Sequence, residues 1–531
     1  MNVETNNINI SLSDRWSQLK RNGKEIYFRG YFYYKGKLFT EKEIEEMLSF
    51  SYSSDWIKEV SGEFAFIFRD GQKVAAAVDR KRSIPLFYYK RDSAFILTDE
   101  LSSKQIQAGI NDLSKYEFIL TGYVASDRTL FQDVWQIEAG QMIVCEEGNV
   151  KKENYFHYYH SPIEIDVNEA AEELEKRFKQ TFEQMYKRVK DKGIIIPLSG
   201  GYDSRIIALL LKEMGAEKIT TFTYGHPESK EALRSKEIAT RLGLEWTIFP
   251  YNKSSWYKWY HSAEWQEYEQ FGTNESSMAH IQDFPAVRHL LQEKQAADHE
   301  YVFIPGHSGD FIAGSHIPYE LTVDRKYSLD DVVNEVMKRH HRLWTTNDSA
   351  VNGHVYSAIK EQLQGFLYEN REEASALFEY WDWKERQCKF IINSLRVYEF
   401  YNQDWEIPLW DDSLVSFFLD VPVEYRFKKY LYDFTLYKMY PDYFDKPVNS
   451  AGNASSFSKK YGVLYPLLKS MYNKKELYSR YHKDPMEWYG ITGNYMNYLN
   501  SISFKDNGSK YVNPYNINSI LVKNYMNNLK G

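Results

Sequence analysis

The 531-residue chain has only two cysteines, Cys145 and Cys388, which excludes a disulfide framework or a zinc site built from cysteines. It has no apolar run of about 18 residues, so no membrane-spanning helix and no membrane partner are expected. Met1–Ser11 lacks the basic-then-apolar pattern of a secretory leader, and the expectation is a soluble cytoplasmic protein. An excess of positive charge is missing too. With 66 Lys and Arg against 74 Asp and Glu, the net charge is −8, which removes the electrostatic reason to expect nucleic acid. Aromatic side chains, by contrast, are plentiful: 17% of residues, 44 of them Tyr, a surplus that suits stacking on sugars or bases and equally fits compositional drift. The length allows two to four domains and a sizeable core.

One stretch organises the chain, Ile194-Ile195-Ile196-Pro197-Leu198-Ser199-Gly200-Gly201-Tyr202-Asp203-Ser204. Its isoleucines predict a short buried strand, Ser199-Gly200-Gly201 a tight turn, and Arg205 to Leu211 an apolar pattern at helical spacing. Strand, glycine turn and helix together aim backbone N–H groups and a positive helix end at a phosphate. The adjacent glycines allow positive φ and close approach of an anion. Ser199 and Ser204 add hydroxyl donors, and Asp203 adds a hard oxygen for phosphate-bound Mg²⁺. A serine-glycine turn capping an ordinary helix is the plain alternative. No Gly-Lys-Ser/Thr follows, so this is not a P-loop. The full pattern resembles the pyrophosphate-binding loop of the ATP pyrophosphatase group. That resemblance implies cleavage of ATP between its α and β phosphates and an adenylated intermediate.

Residues 1–160 read as a β-rich domain. Strands are predicted at Lys24–Gly36, Phe64–Phe68, Val74–Val78, Leu86–Tyr89 and Phe95–Thr98, then near Tyr123, at Met142–Cys145 and near Val150. Glu146-Glu147-Gly148-Asn149 fits a hairpin turn. The ordered phrases Val60–Phe66, Asp79-Arg80, Pro85–Tyr88, Phe95–Glu100, Leu130–Val134 and Glu138-Ala139-Gly140 resemble the N-terminal glutaminase domain of asparagine synthetases. An unrelated sandwich is the alternative. The resemblance implies an N-terminal-nucleophile fold of two stacked antiparallel sheets. Such a glutaminase attacks with a cysteine at position 2, whereas this chain reads Met1-Asn2-Val3. Cys145 and Cys388 read as buried structural thiols. The expectation is a degenerate glutaminase domain, with ammonia or an amine supplied directly or by a separate glutaminase.

From Asp166 the pattern alternates between helix and strand, which predicts a parallel sheet covered by helices. The fold class is therefore α+β followed by α/β: a sandwich of N-terminal-nucleophile type at 1–160, an ATP pyrophosphatase domain at 165–450, and a helical or irregular tail at 451–531. Ligands in such sheets bind beyond the carboxyl ends of the strands. The resemblance to asparagine synthetases places Leu198, Ser199, Gly200, Gly201, Asp203 and Ser204 on pyrophosphate. It places Thr223, Tyr224 and Gly225 along the adenine, and Glu231 at an acidic position that is equally a helix-dipole acid. Pro305-Gly306-His307-Ser308-Gly309-Asp310 resembles the second ATP motif of the family. Gly306 and His307 then contact nucleotide, and Asp310 joins Asp203 as a Mg²⁺ carboxylate. His307 stands where the family has glutamate, and it serves as a base or simply packs.

The stretch Glu399–Arg426, with Ile407-Pro408-Leu409-Trp410-Asp411, resembles a further family segment in which Glu406 replaces an arginine. Trp381, Trp383, Trp405 and Trp410 read as core. After Tyr440-Pro441, an ungapped count puts Asn449 where the family has its catalytic lysine, and a gap would bring in Lys446. The resemblance as a whole implies an ATP- and Mg²⁺-dependent amide-forming ligase that adenylates a carboxylate for attack by ammonia or an amine, with homodimerisation left open. Aspartate is the family's commonest acceptor. A sugar uronate or other carboxylate of surface-polysaccharide or natural-product synthesis is the second reading. A nucleotide-binding partner without turnover is the third.

Overall fold

Alternating side chains along the first 154 residues build two sheets around three rows of core residues. In the computed structural model, which describes residues 8–447 and 475–529 apart from Ser51, Ser93, Lys104, Gln105 and Gln107, the strands are β1 (Ile8–Ser11), β2 (Ser17–Arg21), β3 (Lys24–Tyr34), β4 (Lys37–Phe39), β5 (Ser61–Asp70), β6 (Lys73–Val78), β7 (Phe87–Arg91), β8 (Ala94–Thr98), β9 (Val134–Gln136), β10 (Gln141–Glu146) and β11 (Asn149–Asn154). One sheet runs β11-β10-β6-β5-β3-β2 with β4 beside β3, antiparallel at every pairing. The other runs β1-β8-β7-β9, and there β1 pairs with β8 in parallel, a departure from the all-antiparallel expectation. Strand β5 shows why they stack. Its period of two sends Phe64, Phe66 and Phe68 toward Phe32 and Trp56, and Ala65 and Ile67 toward Leu86, Leu97 and Ile143 between the sheets. The β10–β11 turn carries positive φ at Glu147 (50°) and Gly148 (77°), as a two-residue hairpin requires.

The strand expected near Tyr123 is replaced by helix α1 (Asp112–Thr121), and Tyr123 forms only an isolated bridge to Ser277. Asn111 caps this helix by accepting from the Ser114 N–H at 3.0 Å, and Gly122 ends it at φ 88°. Those two stops outweigh the strand-like composition of Tyr116, Phe118 and Ile119.

Asp166 caps α2 (Val167–Val189), accepting from Asn168 and Glu169, although Glu169 does not return the bond of a capping box. The central sheet is wholly parallel: β12 (Gly193–Pro197), β13 (Ile219–Gly225), β14 (Glu245–Pro250) and β15 (Tyr301–Phe303), in the order β14-β13-β12-β15, extended by Asp404–Trp405. Ile194, Ile195 and Ile196 are buried in it. Helices α3 (Tyr202–Glu213) and α4 (Lys230–Leu242) follow β12 and β13, α4 capped by Ser229 and closed by Gly243 at φ 62°.

Beyond Ser328 the described chain is mainly helical. It includes α5 (Leu329–His340), α6 (Arg371–Trp381), a wide-turned π-helical stretch Asp382–Ile391, α7 (Tyr430–Met439) and α8 (Ile517–Asn528). Trp381, Trp383 and Trp410 are buried core as expected. The tail adds a small sheet in which Thr345–Thr346 and Ser503–Asp506 flank Ser509–Val512. Among the described residues no helix is long and apolar enough to cross a membrane.

Candidate active site

The carboxyl ends of β12, β13 and β15 converge on a cavity of about 690 Å³. The turn after β12 supplies Ser199, Gly200, Gly201, Asp203 and Ser204 to its wall. Within it the Ser199 N–H donates to Ser204 Oγ at 3.1 Å, and the Gly201 N–H to Ser199 Oγ at 3.1 Å. No side chain caps α3, so its first-turn N–H groups face an incoming anion. Neither glycine adopts the positive φ open to it. A Cβ on Gly200 would meet Arg234 and Glu231 of α4 at 3.4 and 3.5 Å, and one on Gly201 the Ser199 Oγ at 3.1 Å, so the missing side chains let the turn pack closely. The left-handed residue is Ser308 in the second loop, at φ 60°.

That second loop seats Gly306 and Gly309 directly against Asp203. A Cβ on Gly306 would stand 2.9 Å from the Asp203 Cβ, and one on Gly309 3.1 Å from its carboxyl carbon. Asp203 accepts from the Tyr432 hydroxyl at 2.8 Å and from the Asp310 N–H at 3.1 Å. Burial and the neighbouring Asp310 carboxylate push its pKa up to about 7, while Lys429 and Tyr432 act in the opposite direction. Asp310 accepts from Ser315 Oγ at 3.0 Å, and its side chain is 46% exposed. Two converging carboxylates beside an anion-receptive turn suit Mg²⁺, which takes one or two carboxylates and fills its shell with phosphate oxygens and water. Among the described residues no group of three or more ligating side chains forms a metal site by itself.

The opposite wall carries His280, Gln282, Asp283, His307, Ser394 and Tyr398. His307 Nε2 lies 2.6 Å from Ser394 Oγ, and burial drives its pKa down to about 3. It is therefore neutral at physiological pH. A base with so low a pKa takes up a proton poorly, and the base reading gives way to a hydrogen-bonding one. Asp283 is buried and accepts from the Tyr398 hydroxyl at 3.1 Å, while His280 Nε2 stands 3.7 Å from its other oxygen, Oδ1, which has no hydrogen-bond partner. Burial raises its pKa.

Several expected residues lie elsewhere. Leu198 is buried against Ile238 and Ala239, behind the loop rather than in the cavity. Of the β13 end, only Tyr224 lines the cavity, where it stacks on Tyr251 at 5.5 Å. Thr223 is buried because strand alternation turns it away, and Gly225, at φ 105°, lies under Pro485 and Met486. Lys446 is exposed and absent from the lining, although its neighbour Asp445 accepts from the Tyr202 hydroxyl at 3.2 Å. Asn449 and Asn2 lie outside the described residues. The lysine in the cavity wall is Lys429, unforeseen from the sequence, which pairs with Asp433 and sits 4.4 Å over the Tyr202 ring. Glu406 is not on the acceptor side: it pairs with Arg188 at 2.7 Å beside Tyr31. His307 and Glu406, two departures from the family pattern, therefore lie at different sites.

Residues 173–442, just over half of the chain, match the asparagine synthase family. Residues 37–156 match a glutamine amidotransferase domain. No curated protein is similar enough to count as a match. Among solved structures, the chain is similar to NH3-dependent NAD synthetase from Campylobacter jejuni at 15% identity, covering 28% of this chain and 61% of that one, with a TM-score of 0.20. It is also similar to glutamine PRPP amidotransferase from B. subtilis at 14% identity, covering 46% and 74%, with a TM-score of 0.18. The chain thus spans less than two thirds of the NAD synthetase. Superpositions this poor carry no functional argument.

Proposed function

This chain belongs to the asparagine synthase family, an ATP-dependent amide-forming class, and we propose that it activates a carboxylate as an acyl-adenylate before a nitrogen nucleophile displaces AMP. The observation that carries this reading is the shared cavity, in which the anion-receptive turn Ser199–Ser204 faces the Asp203–Asp310 carboxylate pair. Ser199, Gly200, Gly201 and Ser204 would hold the β,γ-pyrophosphate, with Lys429 offsetting its charge. Tyr224 would flank the base. Asp203 and Asp310 would hold Mg²⁺, which when bound neutralises phosphate charge at the breaking α–β bond. A carboxylate oxygen is a poor leaving group and AMP a good one, so activation must precede amide formation.

The acceptor wall favours a carboxylate other than free aspartate. Aspartate carries a second carboxylate that needs a cation, and Lys429, the one Lys or Arg among the described lining residues, would be taken up by the pyrophosphate. A substrate with neutral hydroxyl or amide groups, such as a sugar uronate, fits His280, Gln282, Ser394 and Tyr398 better. The glutaminase half is proposed to be inactive. The chain's two cysteines are both buried, Cys145 in β10 and Cys388 in the wide-turned helix, and burial raises both thiols, Cys388 well above its ordinary range. Carboxylate-dependent ATP–pyrophosphate exchange tests the proposal. Exchange stimulated by uronates but not by aspartate is expected, and no exchange with any carboxylate in a panel of uronates, amino acids and hydroxy acids would sink it.

A further inference from the structure

On the far side of the wide-turned helix lies a second, much smaller pocket of about 100 Å³. Three arginines contribute to it, Arg339, Arg342 and Arg386, and no aspartate or glutamate does. In a chain of net charge −8 that segregation is local. Arg339 is compensated from outside by Glu335 at 3.3 Å and Glu320 at 3.6 Å. Arg386 has only a long contact to Asp382, at 3.9 Å. Arg342 has no acid within ion-pair distance among the described residues, and it stacks over Tyr515 at 4.1 Å. The pocket therefore carries surplus positive charge.

Two further groups aim the pocket at a ligand. The Tyr123 hydroxyl, on a residue only 2% exposed, has no hydrogen-bond partner, and neither has His340 Nε2. Buried polar atoms are nearly always satisfied, so the unpartnered Tyr123 O–H, a donor in a basic pocket, points to a missing acceptor. Asn516 and Asn518, at the start of the 12-residue α8, complete the wall, with the Asn516 side chain already capping the helix by accepting from the Asn518 N–H. Planar guanidinium forks paired with hydroxyl and amide donors suit a phosphate or sulfate group. The volume excludes a nucleotide.

We propose that this pocket binds one tetrahedral oxyanion, as free phosphate or as the phosphate of a larger molecule whose remainder leaves past the exposed Arg342. It shares no lining residue with the nucleotide cavity. The two are joined through one element, since the stretch Asp382–Ile391 carries Arg386 into the pocket, Gln387 onto Ser308 Oγ at 3.0 Å, and Ile391 into the nucleotide cavity.

The test is calorimetric titration of inorganic phosphate into the full chain carrying Ser199→Ala and Ser204→Ala, which suppresses competition from the nucleotide loop. One phosphate per chain is expected. Arg342→Gln combined with Arg386→Gln should weaken it by about tenfold or more, and the matching lysine variants should keep most of the affinity. Should the glutamine variants fail to fold, Asn518→Asp sets a negative charge at the rim and should weaken phosphate to a similar extent. Glucose 1-phosphate is the second arm: tighter binding than phosphate identifies a phosphorylated molecule, and equal binding identifies the free ion. No phosphate bound up to about 10 mM, or equal affinity in the charge-altering variants, overturns the proposal.

Discussion

Asp203 is where charge, burial and function meet. Its pKa of about 7 lies above the ordinary 3.8 because burial disfavours the charged form and the Asp310 carboxylate stands beside it. Between those values the folded chain keeps a proton that the unfolded chain has released, so metal-free stability falls as pH rises through this window, and the full cost persists above it. Asp203→Asn should therefore stabilise the metal-free protein at pH 8 and do little below pH 4, as read by urea denaturation. A gain of equal size at both ends would contradict the assigned cause. The same variant, and Asp310→Asn, should lose on the order of 10²-fold in ATP–pyrophosphate exchange, comparable to removing one electrostatic stabiliser of transition-state charge. The two lysines separate cleanly. Lys429→Ala should lower exchange by about tenfold through the lost phosphate charge, whereas exposed Lys446→Ala should leave it unchanged; the reverse pattern would restore Lys446 to the site. Asp203 and Asp310 were legible in the sequence because each sits in a short local motif. Lys429 and Asp283 were not, because nothing near them in sequence marks them and only the fold brings them to the cavity. His307 lines the cavity, and its protonation depends on burial that no local pattern encodes.

At the level of elements, a strand, turn and helix after β12 followed directly from three isoleucines, two glycines and a helical repeat. The conformation of the turn did not, since neither glycine uses positive φ. Their role is set instead by what approaches them. The clearest close approach is at Gly306, where an added Cβ would meet the Asp203 Cβ at 2.9 Å and the Ser204 N at 3.0 Å. Both atoms are backbone or fixed to it, so neither can swing aside. Gly306→Ala should cost about 1–3 kcal/mol of stability, the range for forced overpacking. It should reduce exchange far more than that loss alone explains, because the shift falls on Asp203. Near-normal exchange with a normal melting temperature would show that the two loops are not locked together. Helix α1 teaches the opposite lesson. A strand was expected just beyond it, near Tyr123, where only an isolated bridge forms, whereas the caps Asn111 and Gly122 mark the helix itself.

Across the whole molecule, the two N-terminal sheets pack cores of their own, but helix α1, the loops after it and Phe87 and Val134 of the smaller sheet share one continuous core with the central sheet, in which Phe118, Leu130 and Tyr158 join Phe178, Ile195 and Phe303. Residues 155–166 join the two regions without helix or strand, yet buried charges bind the regions to each other. Lys81 Nζ, fully buried, lies 2.6 Å from Glu63, 3.0 Å from the Trp410 carbonyl and 3.8 Å from Asp412. Arg396 donates to the Ser83 carbonyl at 2.6 Å, and Lys389 to the Val124 carbonyl at 3.1 Å. These interactions hold the N-terminal domain to the rest of the chain and give it a structural task independent of glutaminase chemistry. Two outcomes follow. Purified protein should release no glutamate from glutamine while ammonium supports any amide product; glutamate release that persists through further purification would reveal another nucleophile. Residues 165–531 expressed alone should show no cooperative melt, because removing residues 1–160 exposes the shared core and strips Asp412, Glu399 and Glu406 of Lys81, Arg29 and Tyr31. Breaking one buried pair by deleting one partner costs about 3–5 kcal/mol, a large share of a stability of about 5–15 kcal/mol, so losing several together exceeds what the remainder can hold. Lys81→Met isolates the effect in the intact chain. It should lower stability by about 3–5 kcal/mol while leaving ATP binding at saturating nucleotide intact. A truncated protein that melts cooperatively and binds ATP would show instead that the core divides at residue 160.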